Sequence, residues 1–147
     1  MNATRSKSAR QQGDAPPTAQ QLRFRAFSRL AERAGEGRPL LRGLRVARDP
    51  KADRFVVVHA GSRVEFTLAA GPEQDAACSQ VECRALDSGG KAETMPLAQF
   101  TFGDDGRISQ ATIPELVDEA IDQPPGAWSV VAALLWRNLN ARDDAAP

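Results

Sequence analysis

The order of hydrophobic and polar positions divides this chain into a helical start, a strand-rich middle and a helical end. Between residues 18 and 34, apolar side chains recur at intervals of three to five residues, which is typical of an amphipathic helix. Thr18 is a suitable N-cap, and Gly35 and Gly37 follow where the end of a helix favours glycine. The stripe predicted to face the core is Leu22, Ala26, Phe27, Leu30 and Ala34.

The middle of the chain alternates apolar and polar residues over short segments, a pattern that predicts β-strands. The clearest alternation is that of Val64, Phe66 and Leu68 with polar neighbours. Leu97 and Phe100 fall out of phase and indicate a bulge. Because the turns between these segments are short, we expect successive strands to be antiparallel. The predicted strands are 40–49, 54–60, 63–70, 80–86, 95–102 and a short one at 107–109.

The last third of the chain returns to helical spacing. Thr112, Pro114 and Glu115 form the capping-box pattern of a helix start, which predicts a helix over residues 112–122. A second helix, over residues 127–140, is apolar on most of its circumference and is expected to be largely buried. We therefore predict an α+β fold: an antiparallel meander sheet of five or six strands with an N-terminal helix and two C-terminal helices packed on it.

The length of 147 residues indicates one domain that can form a core without disulfides or metals. We expect a disordered polar leader over residues 1–17, a single domain over 18–141 and a disordered tail over 142–147. No apolar run suits a secretory signal or a membrane span, so we expect a cytoplasmic protein. Cys78 and Cys83 lie at an odd offset on one predicted strand and point to opposite faces, which predicts two reduced thiols.

The net charge of zero conceals an uneven distribution. Residues 1–54 contain 13 Lys and Arg against 5 Asp and Glu, whereas residues 55–147 contain 6 against 14. The excess of arginine over lysine, 16 to 3, fits a GC-rich genome as well as selection for bidentate contacts. The candidate partner-binding residues are the arginines of the N-terminal helix and of the segment after it, Arg23, Arg25, Arg29, Arg33, Arg38 and Arg42.

Catalytic chemistry is hard to assemble from the remaining residues. His59 is the only histidine and lies within an apolar strand, where a structural or rim role is expected. We expect Asp118, Glu119 and Asp122 to form the solvated face of the helix over 112–122, and we interpret GDDG, residues 103–106, as a hairpin turn. No motif for a metal or a nucleotide is present, so we predict no enzymatic activity, no cofactor and no small-molecule substrate.

Two functions follow as hypotheses from these surfaces. The first is a small cytoplasmic, bacterial binding or regulatory protein that contacts the acidic surface of another protein, or of a second copy of itself, through its basic N-terminal region. The outward residues of the sheet offer a second candidate surface: Arg63, Glu65, Thr67, Gln80, Glu82 and Arg84. The alternative is a nucleic-acid-binding accessory protein that neutralises phosphates with the arginine-rich helix and the leader.

Overall fold

The structure, a computed structural model, describes residues 16–49, 52–69 and 78–145. Most of the predicted leader, part of the turn around Pro50, the predicted loop at 71–75 and the last two residues of the predicted tail lie outside these ranges. Among the described residues, no helix is both long and apolar enough to cross a membrane.

Six antiparallel strands form one sheet in which each strand pairs with its neighbour in sequence. This meander and the helices around it confirm the predicted α+β fold class. The bulge predicted from the phase of residues 95–102 is present as a register shift between Thr101 and Phe102. The strands are β1 (Arg45–Asp49), β2 (Arg54–His59), β3 (Ser62–Leu68), β4 (Cys78–Ala85), β5 (Ala98–Gly103) and β6 (Ile108–Ala111).

The N-terminal helix begins where the sequence predicts. Thr18 accepts a hydrogen bond from the backbone N–H of Gln21, and the Gln21 side chain accepts one from the Thr18 N–H, which completes a capping box. The strand predicted over 40–49 starts only at Arg45, because Pro39 initiates a 3-10 turn and the chain then turns through Gly43, whose φ is 87°. The helices and 3-10 turns are α1 (Ala19–Glu32), α2 (Ala34–Gly37), η1 (Pro39–Leu41), η2 (Pro114–Leu116) and α3 (Pro124–Ala145).

The core lies between one face of the sheet and helices α1 and α3. Phe27 of α1 is fully buried and contacts the ring of Phe55 edge-on at 5.2 Å between centroids, while Phe55 stacks on Phe66 at 4.9 Å. The predicted stripe of α1 was partly wrong, since Leu22 is 51% exposed and Phe24 is buried instead. With Phe24 rather than Leu22 facing the core, α1 buries the larger apolar side chain, and burial of more apolar area is more favourable.

The first of the two predicted C-terminal helices is reduced to the 3-10 turn η2. The backbone N–H of Asp118 donates to the Ile108 carbonyl at 2.8 Å, and the Ile108 N–H donates to the Glu119 carbonyl at 2.9 Å. Asp118 has a φ of 77°, which a right-handed helix does not allow. The chain therefore pairs with the first residue of β6 in place of forming a helix. As a result, the acidic residues at 118–122 do not share a helical face. The second helix, α3, forms as predicted and extends to Ala145.

Candidate functional site

Three of the six arginines of the predicted surface lie beside carboxylates of the chain itself. Arg23 forms an ion pair with Asp122 at 2.7 Å, and Arg33 pairs with Glu36 at 3.2 Å. The terminal nitrogen of Arg25 lies 3.8 Å from a carboxylate oxygen of Asp53. The contacts of Arg23 and Arg25 join α1 to the loop before α3 and to the residue before β2, whereas that of Arg33 is local to the end of α1.

The other three candidate arginines occupy different positions. Arg29 and Arg42 are exposed, and neither has an ion-pair partner among the residues that the structure describes. Arg38 is half-buried and donates a hydrogen bond to the Ser129 hydroxyl of α3 at 3.0 Å. The six residues therefore divide into three that lie beside a carboxylate of the chain and three that do not, of which Arg38 borders a large groove.

This groove is lined mainly by apolar side chains and has a volume of about 750 Å³. One wall is the segment 37–41, which contains α2's last residue and η1, and the other wall is one face of α3. Three large apolar side chains at its margins face solvent: Leu40 is 90% exposed, Trp136 65% and Leu139 45%. We call this surface the apolar groove and define it by Leu40, Leu135, Trp136 and Leu139 with Trp128 as its inner wall.

Trp128 holds the two walls of the apolar groove in position. Its indole N–H donates to the Leu30 carbonyl at the end of α1, at 2.8 Å. Its ring packs on Gly37 so closely that a Cβ at that position would lie 2.1 Å from a ring carbon. Glycine is therefore required at 37, and the ring can cover the turn that carries η1. The indole thus fixes the short segment 37–41 against a long rigid helix.

The polar residues of the apolar groove lie at its edges. His59, at the end of β2, is half-buried and lines the groove beside Ser62. The buried amide of Asn138 donates to the Ser62 hydroxyl at 2.6 Å, which ties α3 to the β2–β3 turn. Arg38 is the one permanently charged lining residue, and none of the lining residues is Asp or Glu. The groove is therefore apolar with a positive edge.

The sequence pattern anticipated only part of this site. Helical spacing predicts one core-facing side of α3, formed by Trp128, Val131, Ala132, Leu135 and Leu139, but Leu139 is 45% exposed. Trp136 lies outside that predicted face. A tryptophan outside the core-facing side of a helix was the feature of the sequence that could have indicated an exposed apolar site here. Leu40 was assigned to a strand and would not have been placed beside α3.

Other residues considered for chemistry are placed as follows. GDDG forms the β5–β6 hairpin turn, closed by the Gly106 N–H donating to the Gly103 carbonyl at 3.0 Å. Cys78 and Cys83 are both free thiols on β4, and burial, with a smaller effect of the Glu82 carboxylate, raises the pKa of the Cys83 thiol. Within the described ranges, no group of three or more His, Cys, Asp and Glu is arranged to hold a metal ion.

The outward face of the sheet is polar, as predicted, and its side chains pair with one another. Glu65 of β3 lies opposite Arg84 of β4, and Arg84 donates to Glu82 at 3.1 Å. Gln80 donates to Gln99 of β5 at 2.9 Å. Much of the hydrogen-bonding capacity of this face is therefore used within the chain.

Comparison of the chain with protein-family models, with curated proteins and with solved structures finds no match.

Proposed function

We propose that this chain is a small, non-enzymatic, cytoplasmic binding protein that acts by holding a segment of another protein in the apolar groove. The observation that carries the proposal is the exposure of Leu40, Trp136 and Leu139 around one concavity. Large apolar side chains scattered over a surface need no explanation, whereas several of them around one groove are typical of an interaction site. The volume of about 750 Å³ suits the side chains of a short segment.

The composition of the apolar groove supports a protein partner. Tryptophan and arginine are the residues that most often dominate the energy of a protein interface, and the groove contains two tryptophans and Arg38. Its walls are held by the Trp128 hydrogen bond and by the close contact with Gly37, so little ordering is needed when a partner binds. A preorganised apolar surface of this kind gains affinity from desolvation of the indole and leucine side chains.

The charge at the edge of the apolar groove specifies the partner segment further. Arg38 uses one terminal nitrogen for Ser129 and retains further N–H donors. With no carboxylate lining the groove, Arg38 favours a segment that carries Asp or Glu beside its apolar residues. The proposed occupant is thus an apolar segment of a partner protein with at least one acidic residue, which agrees with the acidic partner expected from the sequence.

Nucleic-acid binding through α1 has weaker support. Phosphate contacts require arginines with free charge, and Arg23, Arg25 and Arg33 each lie beside a carboxylate of the chain. The exposed indole and leucine side chains of the apolar groove have no role in phosphate neutralisation. The groove is therefore the better first surface to test.

Selection from a displayed library of short random peptides tests the proposal. We expect the enriched peptides to combine apolar residues with Asp or Glu and to shift the tryptophan emission of the protein on binding. Trp128 and Trp136 are the only tryptophans and both line the groove, so the emission reports this site directly. In the Arg38→Glu variant the acidic preference should change to Lys or Arg.

The control variants use exposed apolar residues elsewhere on the chain. Leu40→Ser combined with Trp136→Ser should abolish peptide binding, whereas Leu22→Ser combined with Met95→Ser, at 51% and 77% exposure, should leave it unchanged. Far-UV circular dichroism checks that each variant is folded. Peptides that bind the groove variant as tightly as the wild type, or a charge preference independent of residue 38, would refute the assignment.

A further inference from the structure

We propose that the partner segment in the apolar groove is an amphipathic helix with an acidic residue beside its apolar face, and that one large apolar side chain of this helix sits over Ala132. This inference rests on the function proposed above and specifies the shape and the chemistry of the partner. The residues that α3 contributes to the groove are Pro125, Trp128, Ala132, Leu135, Trp136 and Leu139.

The groove follows α3 for several helical turns. The lining residues of α3 run from Pro125 to Leu139 and, except for the neighbours Leu135 and Trp136, are three or four positions apart. At a rise of 1.5 Å per residue, this part of α3 is about 21 Å long, close to four turns. Residues three and four apart form a continuous stripe on one side of a helix, which is the surface that a second helix packs against. A partner helix of about four turns can therefore lie along the whole groove.

The backbone of the partner must satisfy its own hydrogen bonds in this groove. β2 and β3, which end at the groove, are interior strands of the sheet, so no edge strand is open along its walls. The polar side chains of the lining are those of Arg38, His59 and Ser62, and Ser62 already accepts a hydrogen bond from Asn138. An extended segment would leave backbone N–H and C=O groups desolvated without partners. A helix pairs these groups internally, so only its side chains need the groove.

The middle of the stripe contains a recess over Ala132. This alanine is half-buried and lies one helical turn from Trp128 on one side and from Trp136 on the other. Two indoles therefore flank a single methyl group. Where helices pack, a large side chain of one helix fills the space over a small residue of the other. The recess thus suits one large apolar side chain of the partner helix.

The charges around the groove favour an acidic residue on this helix. Arg38 has no ion pair among the residues that the structure describes, and no Asp or Glu lines the groove. The carboxylate nearest to Arg38 in sequence is that of Glu36, and it is paired with Arg33 at 3.2 Å. An Asp or Glu beside the apolar face of the partner helix can therefore pair with the Arg38 guanidinium.

The undescribed parts of this sequence do not contain such a helix. They are residues 1–15, 50–51, 70–77 and 146–147, and Met1 is the only large apolar residue among them. Several large apolar side chains are needed to cover Leu40, Trp136 and Leu139. The proposed helix therefore belongs to a separate polypeptide.

Fluorescence titration of the full chain with synthetic peptides tests the inference. The reference probe is a peptide of about four turns, free of tryptophan, with Leu at intervals of three and four residues, Glu beside this stripe and Ala and Lys elsewhere. The proline probe replaces two central Ala residues by Pro, which breaks the helix but keeps every Leu and Glu. We expect the reference probe to shift the tryptophan emission and the proline probe to bind at least about tenfold more weakly.

An exchange of side-chain size between protein and probe tests the recess. The small-residue probe is the reference probe with its central Leu replaced by Ala. The wild type should bind the reference probe about tenfold more tightly than the small-residue probe, since the leucine fills the recess. The Ala132→Leu variant should prefer the small-residue probe, because its own leucine occupies that space. A reversed preference requires direct contact at residue 132, so a loss of stability alone cannot produce it.

The matched control is Ala133→Leu, at the neighbouring half-buried alanine, which does not line the groove. This variant should keep the wild-type preference for the reference probe. No binding of the reference probe, equal binding of the reference and proline probes, or no reversal in Ala132→Leu would overturn the inference. The proposed function would still stand if Leu40→Ser combined with Trp136→Ser abolished binding of the library peptides. A dimer in sedimentation analysis that this double variant dissociates would assign the groove to a second copy and overturn the inference.

Discussion

Replacement of Phe27 by alanine should remove much of the stability of this fold. Phe27 is fully buried on α1 and contacts four other rings, with centroid distances from 5.2 to 6.2 Å. The partners of Phe27 are Phe24 on its own helix, Phe55 of β2, Phe66 of β3 and Phe100 of β5. One side chain thus connects the helix to three strands, and its removal leaves a cavity at the centre of the core.

The expected loss follows from the burial and the ring contacts. A buried phenylalanine removes about 150–250 Å² from water, and truncation to alanine in a core costs about 3–5 kcal/mol. Edge-on aromatic pairs add about 0.5–1.5 kcal/mol each beyond the area term, so the loss should lie in the upper half of that range. With a urea m-value of about 1.5 kcal/mol per molar, a loss of about 4–5 kcal/mol should lower the midpoint of unfolding by roughly 3 M.

Urea unfolding followed by both tryptophan emission and circular dichroism measures this loss, and agreement of the two signals checks two-state behaviour. The matched control is Leu22→Ala on the same helix, where half of the side chain is already exposed and the loss should stay below about 1 kcal/mol. A loss below about 1.5 kcal/mol for Phe27→Ala, or equal losses for the two variants, would contradict the placement of Phe27 at the centre of the core.

Three further predictions concern Trp136, Asn138 and Cys83. Trp136→Phe should shift the emission maximum to shorter wavelength and reduce quenching by iodide, because the removed indole is the exposed one and Trp128 is half-buried. Asn138→Ala should cost about 1–3 kcal/mol in urea unfolding, and the double variant with Ser62→Ala should cost less than the sum of the single ones, because the two side chains share one hydrogen bond. Native Cys83 should resist a thiol reagent that modifies Cys78. Burial raises the pKa of the Cys83 thiol. The contribution of this thiol to stability should therefore be complete below about pH 8.5 and should decline at higher pH, where the thiol ionises in the unfolded chain. The Cys83→Val variant should not show this decline.

The local patterns of the sequence determined the sheet topology and most of the element types, although the helix predicted over residues 112–122 did not form. The period-two segments with short turns between them allowed only antiparallel neighbours, because a parallel crossover needs more residues than these turns contain. The start of α1 at Thr18 and the hairpin turn at 103–106 were also readable, since caps and tight turns depend on residues a few positions apart. These features need no information about distant parts of the chain.

Contacts between distant residues decided the rest. The ion pair of Arg23 with Asp122 joins positions 99 apart, so the spacing of residues along α1 could not predict it. The backbone pairing of Ile108 with the segment 118–119 overrode the capping-box pattern at Thr112, because two hydrogen bonds to a strand replaced those of a helix. The apolar groove exists only because Trp128 brings the segment 37–41 against α3. Sequence periodicity shows which side chains a helix or strand presents, whereas the neighbours of those side chains depend on tertiary packing. The apolar groove consists of such neighbours.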